Sequence, residues 1–586
     1  MDSSYIAWFI ANFAGNVEKL IRHTTIETLN KNIKIVAPGQ TIQSVIDSIT
    51  DASEDNPYVV IIPPKTYEIN SSIIAKSYVH LICPIPFGAI IKATSSFSEP
   101  IYKGASHSYC IGLVFNCNFN CKGILLEDLT NLYFEGCECE HTAEIFPYHC
   151  WQIANCCNGL FVNCQAEDSG GDDGFSIEDN ANGVSHNLRF VNCKSWNHHR
   201  NTQGSQDGFE VEDGCHDITF LNCEGWDCHH AGLECHNHAG HDPMYNIQII
   251  GGKYSAVNVV NMPSVTTIHK NIEIVGVIAY RFNLQYIDGF KFDITSDIPE
   301  FDTSETIINV SDLGISLANL KNGQVRAKAR TWFIIANAEN VQGDLQVIRP
   351  TSYWPVQLKD ACSKLDLNVH INRPTTRPVS ALTQDASSGD ITVTVSDASK
   401  FDIGENIRIR DPITLNSEFV YISAIDIANN TLTFTQALSN DYLIANNSYV
   451  EIVGYHPVRV SNLTGENNKI KVNSFDYAHG IDLSSGDLSS LECEQICRTL
   501  NTSLSDDLDI RIFEYDKLIL DPNGADRNIN PVSYWTKGYQ LTIINTADAA
   551  ENLVFDPDGL NLTIGQNQRA IVVYDGSQWL KVYLGS

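Results

Sequence analysis

Five strand-like segments recur along the first half of the chain, each ending in cysteine. They are LVFNC at Cys117, LYFEGC at Cys137, LFVNC at Cys164, LRFVNC at Cys193 and ITFLNC at Cys223, at spacings of 20, 27, 29 and 30 residues. The pattern continues without cysteine as IQIIGG, ending at Gly252, and IEIVGV, ending at Val277. Each is a short β-branched and aromatic run bounded by Asn, Gly or Asp turn signals. Repeats of 20–30 residues with strand character and no helical period specify a parallel β-helix. Each repeat is then one coil, which cannot bury its inner face without its neighbours. NGQVRAKAR, QGDLQVIRP and KLDLNVHINRP extend the pattern, so the solenoid is predicted over residues 35–374.

This geometry gives the cysteines a role. Equivalent positions in successive coils stack about 4.8 Å apart, so Cys117, Cys137, Cys164, Cys193 and Cys223 are expected to form one internal ladder. Small, soft, apolar Cys packs well there. Zinc knuckles would need paired C-x₂-C spacing, which these cysteines lack.

Composition narrows the function. Hydrophobic residues make up 43% and charged residues 18%, so the chain folds; its formal net charge is −32. Nucleic acid binding is excluded as a reading, because it rests on clustered Lys and Arg. The run Tyr5–Ala14 is shorter than the ~20 apolar residues of a membrane span, and Asp2 stands where a signal peptide would be basic. Residues 1–34 are expected to form an amphipathic docking helix, with no membrane insertion. Eighteen cysteines without a leader argue against a secreted disulfide scaffold.

After a linker at Thr375–Ser380, alternating strands such as DITVTV and EFVYISAI predict a small antiparallel β-domain over 375–455. Residues 456–586 read as a separate β-rich terminal domain.

The chemistry gathers in a second strand of each coil: CWQIANC, GFSIEDN, GFEVEDG and GLECHNH. Strand alternation points Trp151/Ile153, Phe175/Ile177, Phe209/Val211 and Leu233/Cys235 inward. Gln152, Ser176, Glu210 and Glu234 then share one outward column, and Ala154, Glu178, Glu212 and His236 the next. His149, Asp173, Asp207 and Ala231 precede the strands. Stacked carboxyls repel and raise the pKa of one partner, which suits a general acid. Glu210, Glu234, Asp207 and Asp173 are therefore the candidate catalytic residues. His199, Arg200, Trp226, His229, His230 and His236 are the candidate substrate-binding residues, since flat rings stack on sugars and His or Arg binds hydroxyls or carboxylates. The structural alternatives are that Asp173 and Asp207 are turn-forming Asx residues, and that the glutamates are solvated surface.

Two segments carry a family resemblance. APGQTIQSVIDSI (Ala37–Ile49) followed by NPYVVIIPPKTYEI (Asn56–Ile69) resembles the entry of pectate-lyase-like right-handed β-helices, including bacteriophage tailspikes. The closing stretch, LTIINTADAAENLVF through QWLKVYL, is similar to the C-terminal knobs of phage tail fibres and tailspikes. The resemblance implies an all-β chain with a right-handed parallel β-helix and small antiparallel domains, assembled as a homotrimer. It implies a carbohydrate ligand (host lipopolysaccharide or capsule), attachment to phage tail or adaptor proteins through the N-terminus, and a place in the virion tail. DDG at Asp172–Gly174 resembles the paired Asp of polygalacturonase-like glycosidases, whose NTD, GHG and RIK elements this chain does not carry. No cofactor is expected; calcium on the carboxylates is the possible ion, by analogy with calcium-dependent pectate lyases. Three readings stand: a depolymerising tailspike, with hydrolysis preferred over lyase chemistry; a receptor-binding spike without cleavage; and a cellular β-helix lyase or epimerase.

Overall fold

The computed structural model describes residues 32–198, 206–262, 265–297, 314–330, 332–348, 356–371 and most of 379–585. Of the expected docking segment, 1–34, residues 1–31 lie outside the described residues, as do His199 and Arg200, and Ile33–Ile35 is a strand. The chain divides into two units, Met1–Ile294 with Ile298–Thr306, and Thr295–Asp297 with Ile307–Ser586.

The first unit is a parallel β-solenoid. The strand Ile33–Ile35 opens it, in parallel with Tyr58–Ile61, and a short helix, Ile42–Asp47, follows; the Thr41 hydroxyl accepts the Ser44 N–H at 3.1 Å, and Ile42, Val45 and Ile46 are buried. Successive coils contribute three strands each. One coil holds Trp151–Ala154, Cys157–Val162 and Gln165–Glu167; the next holds Phe175–Asn180, His186–Val191 and Lys194–His198. The following coil holds Phe209–Glu212, His216–Leu221 and Glu224–Cys228. Each strand pairs in parallel with its counterpart one coil on.

Aromatic stacks fill the core. Phe134, Phe161, Phe190 and Phe220 stack face to face with centroids 5.4, 4.7 and 5.1 Å apart. Trp151, Phe175 and Phe209 form a second stack at 5.3 and 5.0 Å. Offset aromatic pairs of this kind add about 0.5–1.5 kcal/mol beyond burial.

The coil corners explain the recurring Asn. Asn163, Asn192 and Asn222 sit at φ of 52°, continued by Gly251 at 66° and Gly276 at 69°. Only Gly, and to a lesser degree Asn and Asp, adopts this left-handed conformation at low cost. The residue after the corner turns inward, which places Cys137, Cys164, Cys193 and Cys223 in one fully buried column. Cys117 is not in it. Its strand, Leu113–Asn116, pairs with Glu138–Glu140 and is the third strand of its coil. The corner of that coil is Gly112, at φ 75°, so Leu113 occupies the ladder position. Cys117 lies instead beside Cys121, Cys139 and Cys150. The spacing of 20, short against 27–30, was the sign of this shift of frame. The cysteines from Cys83 to Cys235 and Cys362 are free thiols, and burial pushes Cys137 up to about 12; the enclosed ladder packs as small, soft filling.

The second unit also contains parallel coils. Gly314–Ala329, Glu339–Val347 and Ser363–Ile371 stack in register, with Gln324, Gln342 and Asp366 aligned. Residues Val379–Ile452 then form a six-stranded sheet, antiparallel throughout, with its own core around Ile407, Val420, Leu432 and Tyr442. The expectation that the solenoid ends at 374 is corrected here. Val458–Ser461 pairs in parallel with Val356–Lys359, and Asn468–Ser474 with Ser363–Ile371, so coils resume after the sheet and run to Gln495. The sheet is an insertion between coils. Among the described residues from Thr499 to Gly585, a five-stranded and a four-stranded sheet close over Leu518, Ile543, Phe555 and Trp579.

Candidate functional site

The acids lie where three columns cross four coils of the first unit. The register read from alternation holds: Gln152 pairs with Ser176, Ser176 with Glu210, and Glu210 with Glu234. Glu212 pairs with His236 in the next column. One rung further, Asn258 pairs with Glu234, a neighbour that the sequence reading did not include.

The outward column is not solvated. Asp173 and Asp207 are fully enclosed, and Glu210 and Glu234 are each 4% exposed. Enclosure of four carboxyls is tolerable only if each is hydrogen-bonded, paired or neutral. Asp173 Oδ1 accepts the Asp207 N–H at 2.7 Å, and Asp207 Oδ1 accepts the Ala231 N–H at 2.7 Å. Each Asp thus caps the backbone of the equivalent position one coil on. The two copies of Asp-Gly-Phe are the same cap used on successive rungs.

Charge alternates across the four. Burial alone would raise Asp173, but the Glu210 carboxyl, the His149 imidazole 3.2 Å from Oδ2 and the Asp207 N–H hold it well below the usual carboxylate range. Glu210 is pushed well up by burial and by the Asp173 charge it faces, so it carries the proton of that pair. Burial, together with the Glu234 and Asp173 charges, also drives Asp207 up despite His230. Glu234 would likewise rise by burial, but His230 Nδ1 at 2.9 Å, His236 Nδ1 at 3.5 Å and the Asn258 amide at 2.9 Å bring it down to about 2. The pattern is ionised Asp173 and Glu234, protonated Glu210 and Asp207, which limits like-charge repulsion. The histidines follow. His230 is lifted to about 10 by its bonds to Asp207 and Glu234. Burial and the Asp173 backbone N–H, which points at Nδ1 from 3.3 Å, favour the neutral ring, yet the Asp173 carboxylate lifts His149 to about 9.

His236 joins the pair. Its Nδ1 lies 3.6 Å from Glu210 Oε1 and 3.5 Å from Glu234 Oε1, and its Nε2 lies 3.2 Å from Glu212 Oε1. Of the expected binding residues, the structure brings His230 and His236 to the acids. Trp226 is corrected: it is only 9% exposed and stacks on Trp196 at 5.3 Å, so its face is not offered as a sugar platform. His229 is exposed, and its N–H donates to the His198 carbonyl. His149 and Asp172 were not among the expected site residues. Asp172 is raised to about 7 by burial and by Asp173 beside it. His149 was legible as the first member of the Asp173/Asp207 column. Several groups of acids and histidines have the spacing to hold a metal, among them Asp207, His230 and Glu234.

No family model matches the chain, and no curated protein does. Solved structures similar to it are β-helix proteins. The Azotobacter vinelandii mannuronan C-5 epimerase AlgE4 A-module is 15% identical, covering 56% of this chain and 90% of that one, with a TM-score of 0.37. The pre-mature bacteriophage phi29 gene product 12 is 12% identical over 92% of this chain and 73% of that one, with a TM-score of 0.39. The tailspike gp49 of Acinetobacter baumannii bacteriophage Fri1, a capsular polysaccharide depolymerase, is 13% identical over 70% and 81%, with a TM-score of 0.26. These are likenesses of fold, and no residue role is taken from them.

Proposed function

We propose that this chain is a phage tailspike that recognises a host surface polysaccharide and hydrolyses it, with Glu210 as proton donor and Glu234 as its carboxylate partner. One observation carries the reading: Glu210 and Glu234 are register partners on adjacent rungs, and a single imidazole nitrogen of His236 reaches both. Adjacent rungs stand about 4.8 Å apart, near the ~5–5.5 Å of carboxyl pairs that cleave glycosides with retention. Their surroundings differ as such a pair requires: Glu210 faces Asp173, whereas Glu234 is held by His230 and Asn258. Among the described side chains touching the pair, His230 is the exposed one, so the sugar would approach across it. The sequence resemblance at residues 37–69 and 541–584 supports the phage setting, the polysaccharide class and the trimer.

A second reading has its own support. The near-complete enclosure of the acids and the capping by Asp173 and Asp207 suit a purely structural polar ladder in a spike that binds without cleaving. Incubation with extracted host polysaccharide separates the two. The hydrolase reading expects shortened chains with no unsaturated uronate, and loss of shortening in Glu210→Gln and Glu234→Gln with binding retained. Unsaturated ends would mean a lyase, and binding with no shortening by the wild-type chain would leave the receptor-binding spike.

A further inference from the structure

Beside the acid pair, on its far side from Asp173, stands a second group: Glu212 on one rung, His236 on the next, and His238 two residues further along the same strand and past its end. One ligand atom from each lies within 4.8 Å of the others. We propose that Glu212, His236 and His238 bind a divalent transition-metal ion of the zinc class.

Three observations carry this. First, spacing: ligand bonds of about 2.0–2.1 Å in a tetrahedral shell put neighbouring ligand atoms about 3.3 Å apart, and His236 Nε2 lies 3.2 Å from Glu212 Oε1. Second, His236 is 4% exposed and, among the described residues, neither ring nitrogen has a hydrogen-bond partner; Glu212, 3.2 Å from Nε2, meets it as a charge contact. A buried imidazole without hydrogen bonds is costly unless the acids around it hold it charged or an ion takes its lone pair in place of that proton. Its Nδ1 side faces Glu210 and Glu234, which leaves Nε2 for the ion. Third, His238 is preset. Asp213 accepts its backbone N–H at 2.6 Å and its Nδ1 at 2.9 Å, so the proton sits on Nδ1 and the other ring nitrogen keeps the lone pair. A carboxylate behind a ligating imidazole is the usual second support of such sites. Two imidazoles and one carboxylate select zinc-class ions over calcium, which takes six to eight oxygens.

The test reads metal content, so its outcome is separate from whether the chain cleaves polysaccharide. The full chain is stripped with chelator, equilibrated with zinc or calcium, desalted and assayed for metal. About one zinc per chain is expected, undisplaced by calcium. The cobalt-loaded chain should show a visible spectrum of histidine ligation. His238→Ala, at an exposed side chain, should abolish retention with circular dichroism unchanged. Asp213→Asn should weaken binding by roughly 10- to 100-fold. Glu140→Gln, in the separate acidic group Glu138, Glu140 and Glu167, should leave it intact. No retained zinc, full retention in His238→Ala, or displacement by calcium would overturn the assignment.

Discussion

The His149–Asp173 pair gives a quantitative test of the charge pattern. Replacing Asp173 by Asn keeps an oxygen to accept the Asp207 N–H but removes the charge opposite His149. An unfolded histidine titrates near 6.5, and Asp173 lifts His149 to about 9 in the fold. At about 1.4 kcal/mol per pH unit, the lift corresponds to about 3 kcal/mol. Because the folded value lies above the unfolded one, this stability is fully present below about pH 6.5 and is lost as pH rises through about 9. Asp173 is shifted the other way, so its share is present above the unfolded carboxylate value near 3.9 and is lost as pH falls below it. The pair therefore stabilises the coil between about pH 4 and 9. Hydrogen exchange of peptides spanning 149–177 reads the local effect, corrected for intrinsic exchange. From about pH 6.5 to 9.5 the wild-type coil should lose protection by about a hundredfold. Asp173→Asn should begin lower and lose almost none, since burial alone then keeps His149 neutral. Asp172 and Glu178 also face His149, and Asp172→Asn should leave most of the slope. An unchanged slope in Asp173→Asn, or no slope in the wild-type chain, would refute the pairing and leave His149 neutral, its Nδ1 accepting the Asp173 backbone N–H 3.3 Å away.

Three further outcomes test the fold. Phe190→Ala, in the middle of the four-ring stack and fully buried, should cost about 3–5 kcal/mol by denaturant titration, whereas Phe419→Ala, 45% exposed, should stay within about 0.5 kcal/mol. A Cβ at Gly232 would stand 2.2 Å from the Gly225 carbonyl oxygen, backbone against backbone, so Gly232→Ala should destabilise by about 3 kcal/mol or more, read as loss of soluble chain. Asn192→Val forces a β-branched residue to φ 52° and should cost about 1–2 kcal/mol, with Asn192→Gly far milder; equal effects of the two would remove the corner argument.

Much of the solenoid was legible because its signals are local and repeat. Trp151, Phe175, Phe209 and Leu233 announce the inward column by strand alternation, and the Asn before Cys164, Cys193 and Cys223, with Gly136 before Cys137, marks a corner. What misled was a second Asn-Cys pair, at Cys117, with the same letters but the third-strand position in its coil. Only pairing across coils separates the two. The insertion was hidden for the same reason: the alignment of Leu367 with Ile470 lies about a hundred residues apart and leaves no periodic trace. At the site, the columns of Glu210, Glu234 and Glu212 with His236 were readable. Their burial was not, since alternation tells which way a side chain points and not what lies over it. That is why Trp226 read as an open platform.

The six-stranded sheet at Val379–Ile452 occupies a place where a coil would ordinarily make a single turn. Its core is self-contained, and the rungs before and after it pair as though nothing intervened. That turn behaves as a socket. A module there can be lengthened, exchanged or deleted without changing the register of a single rung. Deleting the module and rejoining the chain across it is therefore expected to leave the acid columns, coils away in the sequence, as they are.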